Sequence, residues 1–268
     1  MFVKFAAQER LVPGESFKQK ADCLSALGYE GIELSGERLS ERIVEIKSVL
    51  HDSPIQATSI CGGYKFGLLF PDKADRDQSR EEIKHLLTLA GEVGAQGVIV
   101  VPIFGESRVP DLSPWKTTME IQEALLVEQL YELATYAGEQ GTQVIVEPLN
   151  RYETHYIQTL QQASTICEQV NSKHMTILAD FFHMNIEEQD MTKAITETQR
   201  WVGYVHLADS NRLQPGFGHT DFRSGFQALQ EIQYDGWLSL ECSVQGEAKT
   251  GLQKTLEYLK SCSPYNRV

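Results

Sequence analysis

With 41% apolar side chains over 268 residues, the chain has ample material for a buried core, and disorder is excluded as a description of it. Its 24 Lys+Arg against 37 Asp+Glu give a formal charge of -13, so no basic stripe is available to neutralise a phosphate backbone and nucleic acid is a poor partner. Five cysteines without a C-x-x-C pair, an N-terminal apolar run too short for a signal-peptide core, and no stretch of bilayer length read as a reduced, cytoplasmic protein with no membrane partner.

Taken in chain order, β-leaning apolar runs alternate with amphipathic segments. The first strand is expected at FVKFA from Phe2, followed by a helix in ESFKQKADCLSALG. GIEL near Ile32 leads to LSERIVEIKSVL, IQATSI from Ile55 to SREEIKHLLTLAGEVG, and VIVV from Val98 to EALLVEQLYELATYAGEQG. The second half repeats the pattern with QVIV near Val144 before LQQASTICEQV, then MTIL from Met175, GYVHL around Val205 before FQALQEI, and WLSLE around Leu238. Most of these runs are too apolar for a strand with one wet face and suit parallel strands buried on both sides. Gly28, Gly94 and Gly141 stand where helices end and the next strand begins.

Eight such units of about 33 residues predict an α/β fold of the (β/α)8 TIM barrel type, one domain over residues 1–268 with no linker composition to divide it. The runner-up, an open doubly wound sheet, usually carries a Gly-rich phosphate loop after its first strand, and FVKFAAQERLVPGES has none. The longer connections, Gly62 to Asp77, Ile103 to Thr117 and Ala208 to Thr220, all follow strands, on the face where barrels build their sites.

Four metal-ligating residue types close four successive runs: Glu147 after VIV, Asp180 after ILA, His206 after YV and Glu241 after LSL. Singly, each would be a helix cap or a core histidine. At equivalent positions on neighbouring parallel strands, about 4.8 Å apart, they can reach one ion. Three carboxylates packed together repel unless protonated or compensated, and three oxygens with one nitrogen suit Mn²⁺ first, with Mg²⁺ or Co²⁺ as alternatives and Zn²⁺ less favoured. Glu153, His183 and Arg212 lie in the loops just beyond these residues and read as hydrogen-bonding groups for a polyhydroxylated ligand. Glu33 and Cys61 close strands two and three; Glu33 reads equally as pocket lining or loop cap, Cys61 as a small buried filler. The G-x-G in QPGFGHTDF, Gln214 to Phe222, reads as a turn-rich flap, because no strand-turn-helix fingerprint surrounds it.

At these residues the chain resembles the xylose isomerase-like barrel enzymes, most closely the ketose 3-epimerases acting on tagatose and psicose (allulose). EPLNRYET from Glu147, DFFHMNIEE from Asp180, HLADSNR from His206, PGFGH from Pro215 and DGWLSLE from Asp235 are similar to that family's motifs in order and spacing. The likeness is close from Thr142 to Ser243 and generic before that. It implies a metal held by Glu147, Asp180, His206 and Glu241, with Glu147 and Glu241 also serving as the acid/base pair. It further implies substrate contacts from Glu153, His183 and Arg212, and a homo-oligomer, dimer or tetramer. The implied activity is an isomerase of carbohydrate metabolism, a C3 epimerase of a free ketose. The metal would chelate two neighbouring oxygens of an α-hydroxy ketone; one glutamate would remove the proton beside the carbonyl and the other return it on the opposite face, through a cis-enediolate. Ala179 stands where the family commonly has an aromatic residue, and Asp209 where it commonly has Glu.

Three alternatives stay open. A hydroxypyruvate-type, inosose-type or sugar-phosphate isomerase or epimerase would use the same scaffold, the last with a phosphate cradle near Ser243 to Lys249 and Arg212. An endonuclease IV-like DNA repair enzyme would need several zinc ions and cationic loops, against seven histidines and the -13 charge. A non-catalytic sugar-binding barrel would be favoured had either glutamate been missing.

Overall fold

The computed structural model describes residues 3–65 and 67–263. Its eight strands are β1 (Lys4–Gln8), β2 (Gly31–Ser35), β3 (Gln56–Cys61), β4 (Gly97–Val100), β5 (Gln143–Val146), β6 (Met175–Asp180), β7 (Val202–Leu207) and β8 (Trp237–Leu240). They pair in parallel in sequence order, and β8 closes on β1. This is the (β/α)8 TIM barrel expected from the alternation. Phe2, the first residue of the predicted first strand, lies outside the described residues, and β1 begins after Val3, at Lys4, and runs two residues further than FVKFA, to Gln8.

The helices are α1 (Phe17–Leu27), α2 (Leu39–His51), α3 (Lys73–Val93), α4 (Thr118–Gln140), α5 (Leu160–Val170), α6 (Phe181–Glu187), α7 (Met191–Glu197), α8 (Phe222–Glu231) and α9 (Ala248–Cys262). Gly28, Gly94 and Gly141 take left-handed φ values of 85°, 70° and 70° just past α1, α3 and α4, the C-terminal role assigned to them from sequence. Thr117 opens α4 and Thr159 opens α5 with reciprocal capping boxes, each satisfying two end groups. No helix among the described residues is long and apolar enough to cross a membrane.

The strands separate two apolar layers. Outward residues such as Ile32, Val98, Val144, Ile177 and Val205 pack against the helices in the main core. Inside the barrel, Ala6, Ile99, Ile145, Leu178, Tyr204 and Trp237 form a second cluster. Gly31 makes room for it, since a Cβ there would sit 2.7 Å from the Trp237 ring. Because successive strand residues face opposite sides, the residue two beyond each inward apolar group also faces inward, one layer higher. That step leads from Ile145 to Glu147, from Leu178 to Asp180, from Tyr204 to His206, and from Ala6 to Gln8. The same parity places Glu33 above Gly31 and Glu241 above Ser239. A ring of polar groups therefore crowns an apolar plug.

Candidate active site

Glu147, Asp180, His206 and Glu241 each offer a ligand atom, and these atoms all lie within 4.8 Å of one another. Asp180 and His206 are register partners across β6 and β7, and Glu147 and Glu241 follow the last residues of β5 and β8. All but Glu241 are at most 4% exposed. At effective dielectrics near 20, two carboxylates 4–5 Å apart repel by roughly 3–4 kcal/mol, so three together need compensation.

Part of that compensation comes from Arg212. Arg212 reaches Asp180 Oδ2 with Nη1 at 2.7 Å and Glu241 Oε2 with Nη2 at 2.5 Å, while its guanidinium stacks on the Phe182 ring, 4.5 Å from the centroid. Its backbone is held in the left-handed region, φ 61°, by bonds from its own N–H to Asp209 O and from Ser243 N–H to its carbonyl. Burial holds the Glu147 carboxyl above the usual carboxylate range; in Glu241 the same burial effect is outweighed by His206 and Arg212, which hold it far below. Burial alone would depress the His206 pKa, but the carboxylates of Glu33 and Glu241 carry it well above its ordinary value.

Two buried atoms in this cluster have no hydrogen-bond partner, Glu147 Oε1 and His206 Nδ1. Nδ1 lies 3.0 Å from Glu241 Oε2 and 3.5 Å from Glu147 Oε1 without a well-directed bond to either. Unpartnered ligand atoms of this kind, one carboxylate oxygen and one ring nitrogen among further carboxylates, fit a divalent cation, so the residues present can hold one.

Glu33 is not a loop cap: it lines the second of the two cavities described below and holds several partners. Its Oε1 accepts from Gln8 Nε2 at 2.7 Å, and its Oε2 from Ser59 Oγ at 3.0 Å, Tyr204 Oη at 2.8 Å and His206 Nε2 at 2.9 Å. A bulge makes this possible: between Ile32 and Leu34 on β2, β3 advances from Ala57 to Ile60, which brings both Thr58 and Ser59 into reach of the barrel interior. The sequence places Glu33 at a strand end but not its bond to His206, and it does not single out Gln8, to which strand parity counted to the true end of β1 would have pointed.

His183, on α6, accepts at Nδ1 from the Asn150 backbone N–H at 3.1 Å, which leaves the proton on Nε2, 3.6 Å from Asp180 Oδ2. Asp180 divides its labour, with Oδ1 capping α6 at Phe182 N (2.7 Å) and Oδ2 facing the cluster. Glu153 stands at the rim, its Oε1 bonded by Asn150 Nδ2 at 2.8 Å. Glu147, Glu153, His183, Arg212 and Glu241 all border one cavity of about 170 Å³, walled by Tyr64 and Phe104. A second cavity of about 130 Å³, lined by Gln8, Arg10, Leu34 and Ser35, meets it at Cys61 and Glu241. Burial and the nearby carboxylates keep the Cys61 thiol neutral. It is a wall shared by both cavities.

The Gly-rich stretch is a flap, as expected, and Asp209 is its organiser. Asp209 Oδ1 accepts from Ser210 and Thr220 N–H at 2.8 and 3.0 Å, and Oδ2 from Gly216 and Phe217 N–H at 2.9 and 3.0 Å. A Cβ on Gly218 would come 2.3 Å from Asp209 Oδ1, so the turn around this carboxylate requires glycine there.

Comparison with known proteins agrees with the barrel fold. The chain is 30% identical over 263 residues to 3-dehydro-D-guloside 4-epimerase of Escherichia coli K12, covering 97% of this chain and 100% of that one. It is 29% identical over 240 residues to D-psicose 3-epimerase of Enterocloster bolteae, covering 84% and 76%. The crystal structure of 3-keto-D-glucoside 4-epimerase from E. coli superposes with a TM-score of 0.90 at 29% identity, over 97% of this chain and 100% of that one. Residues 21–262 match the family described as xylose isomerase-like TIM barrel, and with the closed barrel and its polar crown this places the chain in that family.

Proposed function

We propose that the protein is a divalent-metal-dependent sugar epimerase that inverts a carbon next to a ketone, C3 of a free ketose in the leading reading. The observation that carries it is the convergence of Glu147, Asp180, His206 and Glu241 with two orphaned ligand atoms among them. Manganese is the metal the oxygen-rich donor set favours. Bound there, it would supply Lewis acidity to a carbonyl and its neighbouring hydroxyl.

The chain's own groups account for the rest. Glu147 and Glu241 approach from β5 and β8, with the strands of Asp180 and His206 between them, so they reach a substrate from different sides. One takes the proton from the carbon beside the carbonyl and the other delivers one to the opposite face, which inverts that carbon. His183 Nε2–H and the Arg212 guanidinium, which here holds Asp180 and Glu241, are the donors that would meet the substrate's oxygens, with Glu153 an acceptor at the rim.

Both amide clusters suited to a phosphate are engaged by the chain's own carboxylates: the flap by Asp209, and the start of α9 by Glu247, which accepts from Lys249 and Thr250 N–H. This favours an unphosphorylated substrate. An endonuclease IV-like role needs several metal sites, and among the described residues one ligand group converges.

A second reading is inversion at C4 of a 3-keto-glycoside. It is favoured by the end-to-end match to a 4-epimerase and by the second cavity, which offers room beyond a monosaccharide. The two readings share one chemistry, since each inverted carbon is adjacent to the ketone. The deciding experiment offers D-psicose, D-tagatose and a 3-keto-glucoside to the Mn²⁺-loaded protein in D₂O. Deuterium at C3 of the ketoses supports the leading reading, deuterium at C4 of the glucoside the second, and turnover of any of them undiminished by chelator rejects both.

A further inference from the structure

β1 ends in a side chain that the proposed chemistry leaves without a part. Gln8 is 5% exposed, and its Nε2 donates to two carboxylates at once, Glu33 Oε1 at 2.7 Å and Glu241 Oε1 at 2.9 Å. Its Oε1 accepts from Arg10 Nε at 2.7 Å. The orientation of the amide follows from chemistry: turned over, it would set its carbonyl against two carboxylates and its NH₂ against a guanidinium, three repulsive contacts in place of three bonds. The position is built into the barrel. Gln8 is the register partner of Glu33 on β2, and on the other side Ala7 pairs with Leu240, so Glu241 is its next neighbour across β8.

Gln8 therefore distinguishes the two oxygens of Glu241. Oε2 faces His206 Nδ1 and Arg212, and Oε1 is tied back to the barrel wall. Without that tie the carboxylate is held at Oε2 alone, by Arg212 and beside His206, and can pivot about its last torsion, which is broad for this side chain. The same amide fixes Glu33, which in turn holds His206 Nε2. We propose that Gln8 is a positioning residue: it sets the rotation of Glu241 and, through Glu33, the His206 ring, so that one neutral side chain aligns a ligand carboxylate and a ligand imidazole together. This inference rests on the reading that Glu241 holds the metal and carries a proton.

The test is Gln8→Met, which keeps the length and removes the amide, with Arg10→Ala as a milder second variant that frees the amide's oxygen end. Calorimetric titration with Mn²⁺ is expected to show affinity about tenfold lower for Gln8→Met, in line with the usual loss when a group supporting a ligand is removed, and a smaller loss for Arg10→Ala. In D₂O the two proton transfers should separate. Exchange through Glu147 into recovered substrate should continue near its normal rate while conversion to product, which needs Glu241, falls about tenfold or more. Mn²⁺ affinity within twofold of the unaltered protein in both variants would overturn the proposal. So would a rise in KM with kcat preserved, which assigns Gln8 to substrate binding, or equal slowing of both transfers with a lowered Tm, which assigns it to packing. If the unaltered protein inverts none of the sugars, the functional reading falls, and the Mn²⁺ titration still decides the role of Gln8.

Discussion

His206 Nε2 lies 2.9 Å from Glu33 Oε2, deep in the barrel with both side chains fully buried. A carboxylate only accepts, so Nε2 carries a hydrogen and Nδ1 is the ring nitrogen left for the cluster of Glu147, Asp180 and Glu241. Replacing Glu33 by Gln would leave the fold in place but weaken this orientation, because an amide NH₂ competes for the same positions. Glu33→Gln is expected to lower Mn²⁺ affinity by about 10–100-fold, the usual scale for a group that orients a metal-binding histidine. Calorimetric titration reads this directly, and unchanged affinity would mean that Glu33 does not govern the ring.

The same geometry couples metal to protons. The neighbouring carboxylates hold the His206 pKa well above the ordinary histidine value and so favour a hydrogen on both ring nitrogens, whereas a metal needs the lone pair of Nδ1. A raised pKa means the bound proton is fully held below the ordinary value near 6.5 and released only as pH rises through the raised one. Metal affinity should accordingly climb with pH across the neutral range, with about one proton released per ion bound by His206. Titrations in two buffers of different ionisation heat count that proton; a value of zero at pH 6.5 would contradict the charge state assigned to the ring.

For the two glutamates the expectation is loss of chemistry with retention of fold. Glu147→Gln and Glu241→Gln each preserve shape and remove a proton carrier, and each should slow epimerisation by roughly 10²–10⁴-fold, the usual range for a positioned acid or base. Each variant should retain exchange only with the epimer whose C–H faces the surviving glutamate, visible as deuterium entering that epimer without inversion when both epimers are offered separately. Full inversion in either variant would remove that glutamate from the pair.

The architecture is legible because continuous apolar runs and glycine-ended helices recur in alternation, and the four strand-end ligands because they share one position in that repeat. What escaped depends on contacts between distant parts of the chain or on local detail. Glu33 and His206 are 173 positions apart, and their bond relies on a β3 bulge that no local pattern marks. Gln8 was hidden by reading the first strand as ending before it. The first turns of α3, Lys73 to Gln78, have no buried face and so no apolar period, which is why that helix starts earlier than its sequence pattern suggested. α6 and α7 are seven residues each, too short for periodicity to declare them.

Asp209 provides the last prediction, because its carboxylate holds the flap beside Arg212. Of the four amides it accepts from, that of Thr220 is in a fully buried bond and the others are partly open to water. Removing the acceptor should therefore cost close to one stranded buried donor rather than four, about 1–3 kcal/mol for Asp209→Ala. Burial alone would raise the Asp209 pKa, but the surrounding backbone N–H groups hold it below the ordinary aspartate value. A lowered pKa contributes stability that is fully present above the unfolded value near 4 and is lost as pH falls through the folded one. The difference in Tm between the unaltered protein and Asp209→Ala should then be constant from pH 7 down to about pH 5 and shrink below about pH 4. A Tm difference that stays the same at pH 3 would show that the flap is held by its own turns and not by the Asp209 charge.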